Sequence, residues 1–335
     1  MENQKYNPAA PLPWYDDRVA AVRKEYVNPW ADDVEEPEQD TPKEIYDYLD
    51  QHVWKQETAK RVASVIMYQC LQGIKSNTMF IGPSSCGKTH IWRCLKKIYP
   101  NRIEIADISN LTQDGWKGSL KWKDLLRSPI FRSENHCNCI LVADEADKMF
   151  SPKISSSENN ASLSIQAEGL TLVEGTRVDV KIDSVIHSID TSKISFVFCG
   201  AFSSKAHDVA EKSSGSRIGF GAAPAAPVQP YARPLDEQDL IDFGVMPEFM
   251  GRIQRVVNLQ QMTVEDYFLM TGSRNFLSRI GEQYKADVRL TLAKRRELAE
   301  QAARTGLGVR GMESQIRRLV DDAIFDDCTQ RSFEF

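Results

Sequence analysis

The chain has 335 residues, 41% apolar, 27% charged and 9% aromatic, which is enough for two domains and a large buried core. No stretch approaches the about 18 consecutive apolar residues of a membrane span, and the opening Met1-Glu2-Asn3-Gln4-Lys5 lacks the apolar segment expected of a secretory signal. A net charge of −5 excludes a global basic field for nucleic acid, and seven cysteines with no Cys-x-x-Cys pair argue against disulfides or a zinc ribbon and for a reducing cytoplasm.

Residues 1–40 are rich in acid and proline, with an acidic run from Asp32 to Asp40, and are expected to form a flexible segment that buries little. The segment reads either as a solvated tail or, through Pro13-Trp14 and Pro29-Trp30, as a docking point for a partner. Order is expected from Thr41, where Thr41-Pro42-Lys43-Glu44 forms a capping box with proline at the first helical position. Ala59, Val62, Ile66 and Cys70 then recur at helical spacing. The period changes to short apolar runs at 78–81, 102–106, 139–143 and 194–199, separated by helical stretches, and these predict the buried parallel strands of an α/β sheet. Residues 151–162 and 213–234 read as loops. After Val257 strand signals thin out, Thr263 to Asp266 starts another helix, and helical patterns run to Asp327. The expected division is a large α/β domain over 41–260 and a smaller, mostly helical domain over 261–335.

Between the first strand and the next helix, Gly82-Pro83-Ser84-Ser85-Cys86-Gly87-Lys88-Thr89 fits the pattern G-x-x-x-x-G-K-[ST] of a phosphate-binding loop. The glycines let successive backbone N–H groups face phosphate oxygens, and the helix N-terminus adds its positive dipole. With His90, these residues form the expected nucleotide-binding set, for ATP: Lys88 neutralises the β- and γ-phosphates and Thr89 ligates Mg²⁺. The strand 140–143 ends in Asp144-Glu145, which supplies a second Mg²⁺ ligand, Asp144, and a general base, Glu145. Cys86 sits at a helix start, where thiol pKa values tend to fall, so it is either a small residue chosen for fit or an oxidation-sensitive thiol. His136, Cys137 and Cys139 lack tetrahedral metal spacing, and the thiols are expected to be buried.

Asp190 to Phe202 (DTSKISFVFCGAF), Ile218 to Ala222 (IGFGA), Phe243 to Arg252 (FGVMPEFMGR) and Gly308 to Met312 (GVRGM) resemble the ClpX family of AAA+ unfoldases, and Asp144 to Lys148 and Val53 to Gln56 fit the same pattern more loosely. The resemblance runs from about Thr41 to Asp327 with its motifs in order. It implies an AAA+ α/β domain plus a small helical domain with ATP between them, working as a homo-hexamer. It implies that Arg252 is a catalytic arginine finger reaching a neighbour's γ-phosphate and that Arg310 is the sensor-2 arginine on its own nucleotide. Gly115-Trp116-Lys117-Gly118 matches the substrate-gripping pore loop, 151–163 a second pore loop, and Ile218-Gly219-Phe220 the loop that docks on a ClpP-type peptidase. The expected substrates are unfolded or tagged proteins, with no membrane partner.

The sequence departs from the family at several points. The N-terminal zinc domain with paired Cys-x-x-Cys has no counterpart, residues 176–189 are too short for the basic channel-entrance loop, Lys55 stands where the family carries glycine, and no residue near Phe198-Cys199-Gly200 offers itself as sensor 1. Lys117, Lys121 and Lys123 would give the channel a positive collar, with a preference for acidic segments or nucleic acid, or else they are solvated lysines. A peptidase-independent remodeller and an AAA+ nucleic-acid motor remain the alternatives, the latter opposed by the acidic overall charge.

Overall fold

The computed structural model describes residues 40–113, 120–132, 138–152, 161–214 and 230–335. The first elements among the described residues are α1 (Pro42–His52) and α2 (Glu57–Leu71). The predicted capping box starts α1: Glu44 N donates to Thr41 Oγ1 at 3.3 Å and Thr41 N donates to Glu44 Oε2 at 3.2 Å, which satisfies two N–H groups that would otherwise lack partners. There follow β1 (Thr78–Ile81), α3 (Lys88–Ile98), β2 (Ile103–Asp107), β3 (Cys139–Asp144), α4 (Ala146–Phe150), α5 (Ala161–Glu174), β4 (Arg177–Ile182), β5 (Val185–Asp190), β6 (Ile194–Gly200), α6 (Ser203–Ser214), α7 (Glu237–Phe243), α8 (Pro247–Met250) and β7 (Arg255–Asn258). The C-terminal part comprises α9 (Val264–Thr271), α10 (Arg274–Tyr284), β8 (Asp287–Arg289), α11 (Leu292–Thr305), α12 (Gly308–Asp326) and β9 (Ser332–Glu334).

The predicted runs at 78–81, 102–106, 139–143 and 194–199 form strands of a parallel sheet ordered β2-β3-β6-β1-β7. The side chains alternate as a pleated strand requires. Met79, Leu141, Phe196 and Phe198 face a core closed by Phe150, Ile165, Val173, Phe202 and Phe249. Phe80, Ile140, Val142 and Val197 face the opposite core, closed by Ile45, Leu49, Ile66, Ile91, Trp92 and Leu95. The result is a three-layer α/β fold followed by a substantially helical C-terminal part with its own apolar cluster around Phe276, Ile280, Leu298, Met312, Ile316 and Phe333. This architecture agrees with the fold class read from the sequence.

Three strand features were not expected. β7 adds a fifth parallel strand at the sheet edge beside β1. Its apolar pair Val256-Val257, between Arg255 and Asn258, is too short to announce a strand. Residues 176–190 form the antiparallel hairpin β4–β5, turning through Asp183 and Ser184, both left-handed at φ 48° and 71°. Two successive positive φ values define the turn type that matches the twist of a tight hairpin. After the last helix, β9 pairs with β8 and buries Phe333 to 1% exposure.

That last contact is testable. Phe333→Ala should lower unfolding free energy by about 3–5 kcal/mol in chemical denaturation. A variant as stable as the parent would remove β9 from the core.

Candidate nucleotide site

β1 ends at Ile81 and the chain turns sharply before α3, so the loop sits at the carboxyl end of the central strands, the usual ligand position in an open parallel sheet. Gly87 caps α3 at φ 105° and Ser85 takes φ 60°, curling the loop. Gly82 has no room for a side chain, because a Cβ there would lie 2.9 Å from Leu259 Cβ. Lys88 Nζ lies across the loop, donating to Gly82 O at 2.7 Å and Pro83 O at 2.8 Å. Thr89 Oγ1 donates to Asp144 Oδ2 at 2.8 Å, which joins the start of α3 to the end of β3. Glu145 follows in the left-handed region at φ 58°, with an exposed carboxylate. A strained residue at a strand–helix junction is a common mark of a functional site.

These groups line a cleft of about 280 Å³ that also takes Val53 and Trp54 from the α1–α2 connection and Met262, Met270, Arg279, Val309, Arg310 and Glu313 from the C-terminal part. The structure therefore brings Ser84, Ser85, Cys86, Gly87, Lys88, Thr89, His90, Asp144, Glu145 and Arg310 to one place, with Gly82 and Pro83 in the same loop. Arg252 is elsewhere, just after α8, with Nη1 donating to Glu248 O at 2.7 Å and Nη2 to Glu174 Oε2 at 3.1 Å. The pore-loop residues Gly115 to Gly118 and the docking residues Ile218 to Phe220 lie outside the described residues, as do 1–39, His136 and Cys137. The stem of the first of these loops is described: Leu111 bridges Leu120, and Thr112 N donates to Leu120 O at 3.0 Å.

Packing favours the reading of Cys86 as a small residue chosen for fit, and local contacts engage Lys121. Cys86 is 5% exposed, and burial pushes its thiol up rather than down, outweighing the helix start and Lys88. Lys121 Nζ turns back onto Thr112 Oγ1 at 3.0 Å and onto Gln113 O. Lys123 is exposed, and Cys139 is buried as expected. Enclosure of the His90 ring pulls its pKa down to about 4, so it is neutral near pH 7, with Nε2 3.2 Å from His52 O.

Several contributors make contacts that the sequence reading did not foresee. Gln56, 3% exposed, donates from Nε2 to Cys86 O at 3.1 Å and Gln260 O at 2.8 Å, and accepts from Gln260 N at 2.9 Å. One amide thus ties the loop to the segment leading into α9. Lys55, at the family's glycine position, is left-handed at φ 53°, which accounts for a glycine preference there, and its Nζ reaches Asp266 Oδ2 at 2.6 Å. Arg279 pairs with Glu313 across the C-terminal wall, and burial pulls the Arg279 pKa down. A separation of 34 positions between these partners leaves no local pattern to read.

The residues fit a nucleotide with a divalent cation. Thr89 hydroxyl and Asp144 carboxylate are adjacent hard oxygen donors of the kind such cations take. The curled loop at the N-terminus of α3 suits phosphate. Among the described residues, no helix is long and apolar enough to cross a membrane.

Fold and site together define a P-loop ATPase of the AAA type: a family profile described as AAA domain (Cdc48 subfamily) matches residues 74–256. The chain is also similar to the ATP-dependent Clp protease ATP-binding subunit ClpX of Treponema denticola, 30% identical over 322 aligned positions covering 85% of this chain and 77% of that protein. The chain belongs to the AAA family and is a ClpX-like AAA+ ATPase.

The raised Cys86 thiol gives a direct check. Under native conditions near pH 7.5, a thiol-alkylating reagent should label exposed Cys328 and spare Cys86, as read by peptide mass spectrometry. Labelling of Cys86 as fast as Cys328 would show the loop thiol to be open and reactive.

Proposed function

We propose that this chain is an ATP-dependent protein unfoldase that threads polypeptides through the pore of a homo-hexamer and delivers them to a ClpP-type peptidase. The observation that carries the reading is the placement of the two arginines: Arg310 lines the cleft with the P-loop, whereas Arg252 stands outside it. That arrangement suits one arginine for the subunit's own nucleotide and one for a neighbour's. The 30% identity to a ClpX points the same way.

In this reading, 41–260 and 261–335 act as two domains gripping ATP. Lys88 exchanges its contacts with Gly82 O and Pro83 O for β- and γ-phosphate oxygens, and backbone N–H groups of Ser84 to Thr89 surround the phosphates. Thr89 and Asp144 would hold Mg²⁺, which would supply charge neutralisation at the phosphate oxygens. Glu145 orients and deprotonates the attacking water. Arg310 senses the γ-phosphate from the C-terminal part, so that hydrolysis changes the angle between the two parts. Trp116, flanked by Gly115 and Gly118 and followed by Lys117, grips the substrate by stacking on whatever chain passes. Ile218, Gly219 and Phe220 dock on the peptidase through apolar contact.

The test combines turnover with degradation. Glu145→Gln should bind ATP within a few-fold of the parent but hydrolyse it about a hundredfold more slowly or worse. The parent, given ATP and a ClpP-type peptidase, should destroy a folded tagged reporter, and Phe220→Ala should abolish that while sparing ATPase activity. Near-normal hydrolysis by Glu145→Gln removes Glu145 as base. ATP-dependent unfolding of the reporter without degradation favours a stand-alone remodeller, and stimulation by single-stranded DNA rather than unfolded protein overturns the unfoldase reading.

A further inference from the structure

We propose that Glu174 is a positioning residue for Arg252, holding its guanidinium in the pose that reaches a neighbouring subunit's nucleotide. The proposal rests on the trans role given to Arg252 above. Glu174 is the last residue of α5, and Gly175 follows at φ 126°, so close to the next segment that a Cβ would lie 2.9 Å from Ser192 Cα. This close packing fixes where α5 stops and therefore where the Glu174 carboxylate stands.

Arg252 is held from two sides. Nη1 donates to Glu248 O at 2.7 Å, Nη2 donates to Glu174 Oε2 at 3.1 Å, and Nε is buried without a hydrogen-bond partner among the described residues. A guanidinium carries two N–H bonds on each terminal nitrogen. One on each is committed, which leaves a second on each for phosphate oxygens, and the side chain remains 33% exposed. The contact thus aims the planar fork without exhausting it.

The backbones beneath both residues are fastened to one buried side chain. Asn77, 3% exposed, donates from Nδ2 to Val173 O at 3.0 Å and to Arg252 O at 3.2 Å, while its Oδ1 accepts from Phe196 N at 3.0 Å. Asn77 immediately precedes β1, whose other end enters the P-loop. Lys75, a cation whose charge Glu174 also feels, has its Nζ donating to Thr191 O at 2.9 Å, whereas Arg252 is hydrogen-bonded to the Glu174 carboxylate. The Glu174 side chain is 63% exposed, and ion pairs this open contribute little to stability. Its effect belongs to orientation, where a misplacement of about an ångström can cost up to about a hundredfold in rate.

The experiment measures ATP hydrolysis against ATP concentration, binding of a fluorescent ADP analogue and thermal melting for the full chain and for Glu174→Ala, Glu174→Asp and Arg252→Ala. Glu174→Ala should lower kcat about five- to fiftyfold, with KM, ADP affinity and melting nearly unchanged, and Glu174→Asp should recover most of the loss. Turnover by Glu174→Ala within twofold of the parent, or above it, overturns the proposal, as does a loss matched by weaker ADP binding or not rescued by aspartate. Near-normal turnover in Arg252→Ala removes the trans role itself and the proposal with it. Loss in Arg252→Ala beside normal turnover in Glu174→Ala overturns the positioning role alone.

Discussion

The structure depends on one close approach, that of the C-terminal part to the phosphate-binding loop. Gly308 opens α12 at φ 55°, and a Cβ there would come within 2.8 Å of Ser85 Cβ. Ser85 Oγ donates to Leu307 O at 3.1 Å across the same contact. Only a residue without a side chain permits this backbone and this distance together. Because α12 is seated here, Arg310 and Glu313, one turn on, are carried into the cleft. Gln56 ties the loop to the segment leading into α9, and the Lys55–Asp266 ion pair reaches α9 itself.

The charges are laid out around that seat. Lys88 and Arg310 supply positive charge toward the loop, Asp144 and Glu145 supply oxygen at the strand end, and Glu313 offsets Arg279 within the wall. Arg252 belongs to another surface, yet it is not independent of the site. Asn77 holds its carbonyl at one end of β1, and the loop begins at the other. A single buried strand therefore joins the P-loop to Arg252, the arginine proposed to serve a neighbouring subunit. Packed cores respond to such displacement in discrete steps.

Much of this was legible in the sequence because local chemistry dictated it. The loop needs glycine at Gly87 for its positive φ, Thr41 and Thr263 cap helices through carboxylates three residues on, and the apolar runs alternate between two cores. What was illegible depends on distance along the chain. Gln56 and Gln260, Lys55 and Asp266, and Arg279 and Glu313 meet only after folding, and none has a pattern of its own. β7 is recruited as an edge by β1, and β9 by β8, so their short runs count only in place. Of the two readings of Cys86 the packed one holds, because burial, not the helix dipole, dominates its thiol.

The central claim is that nucleotide is gripped between the P-loop and the C-terminal part at the Ser85–Gly308 contact. Titrating a fluorescent ATP analogue into Gly308→Ala tests it most directly. The added methyl has to push α12 off the loop, and an overpacking cost of about 1–3 kcal/mol corresponds to roughly a five- to 150-fold weaker affinity, with melting little altered. Affinity equal to the parent's in a folded Gly308→Ala variant would contradict the account.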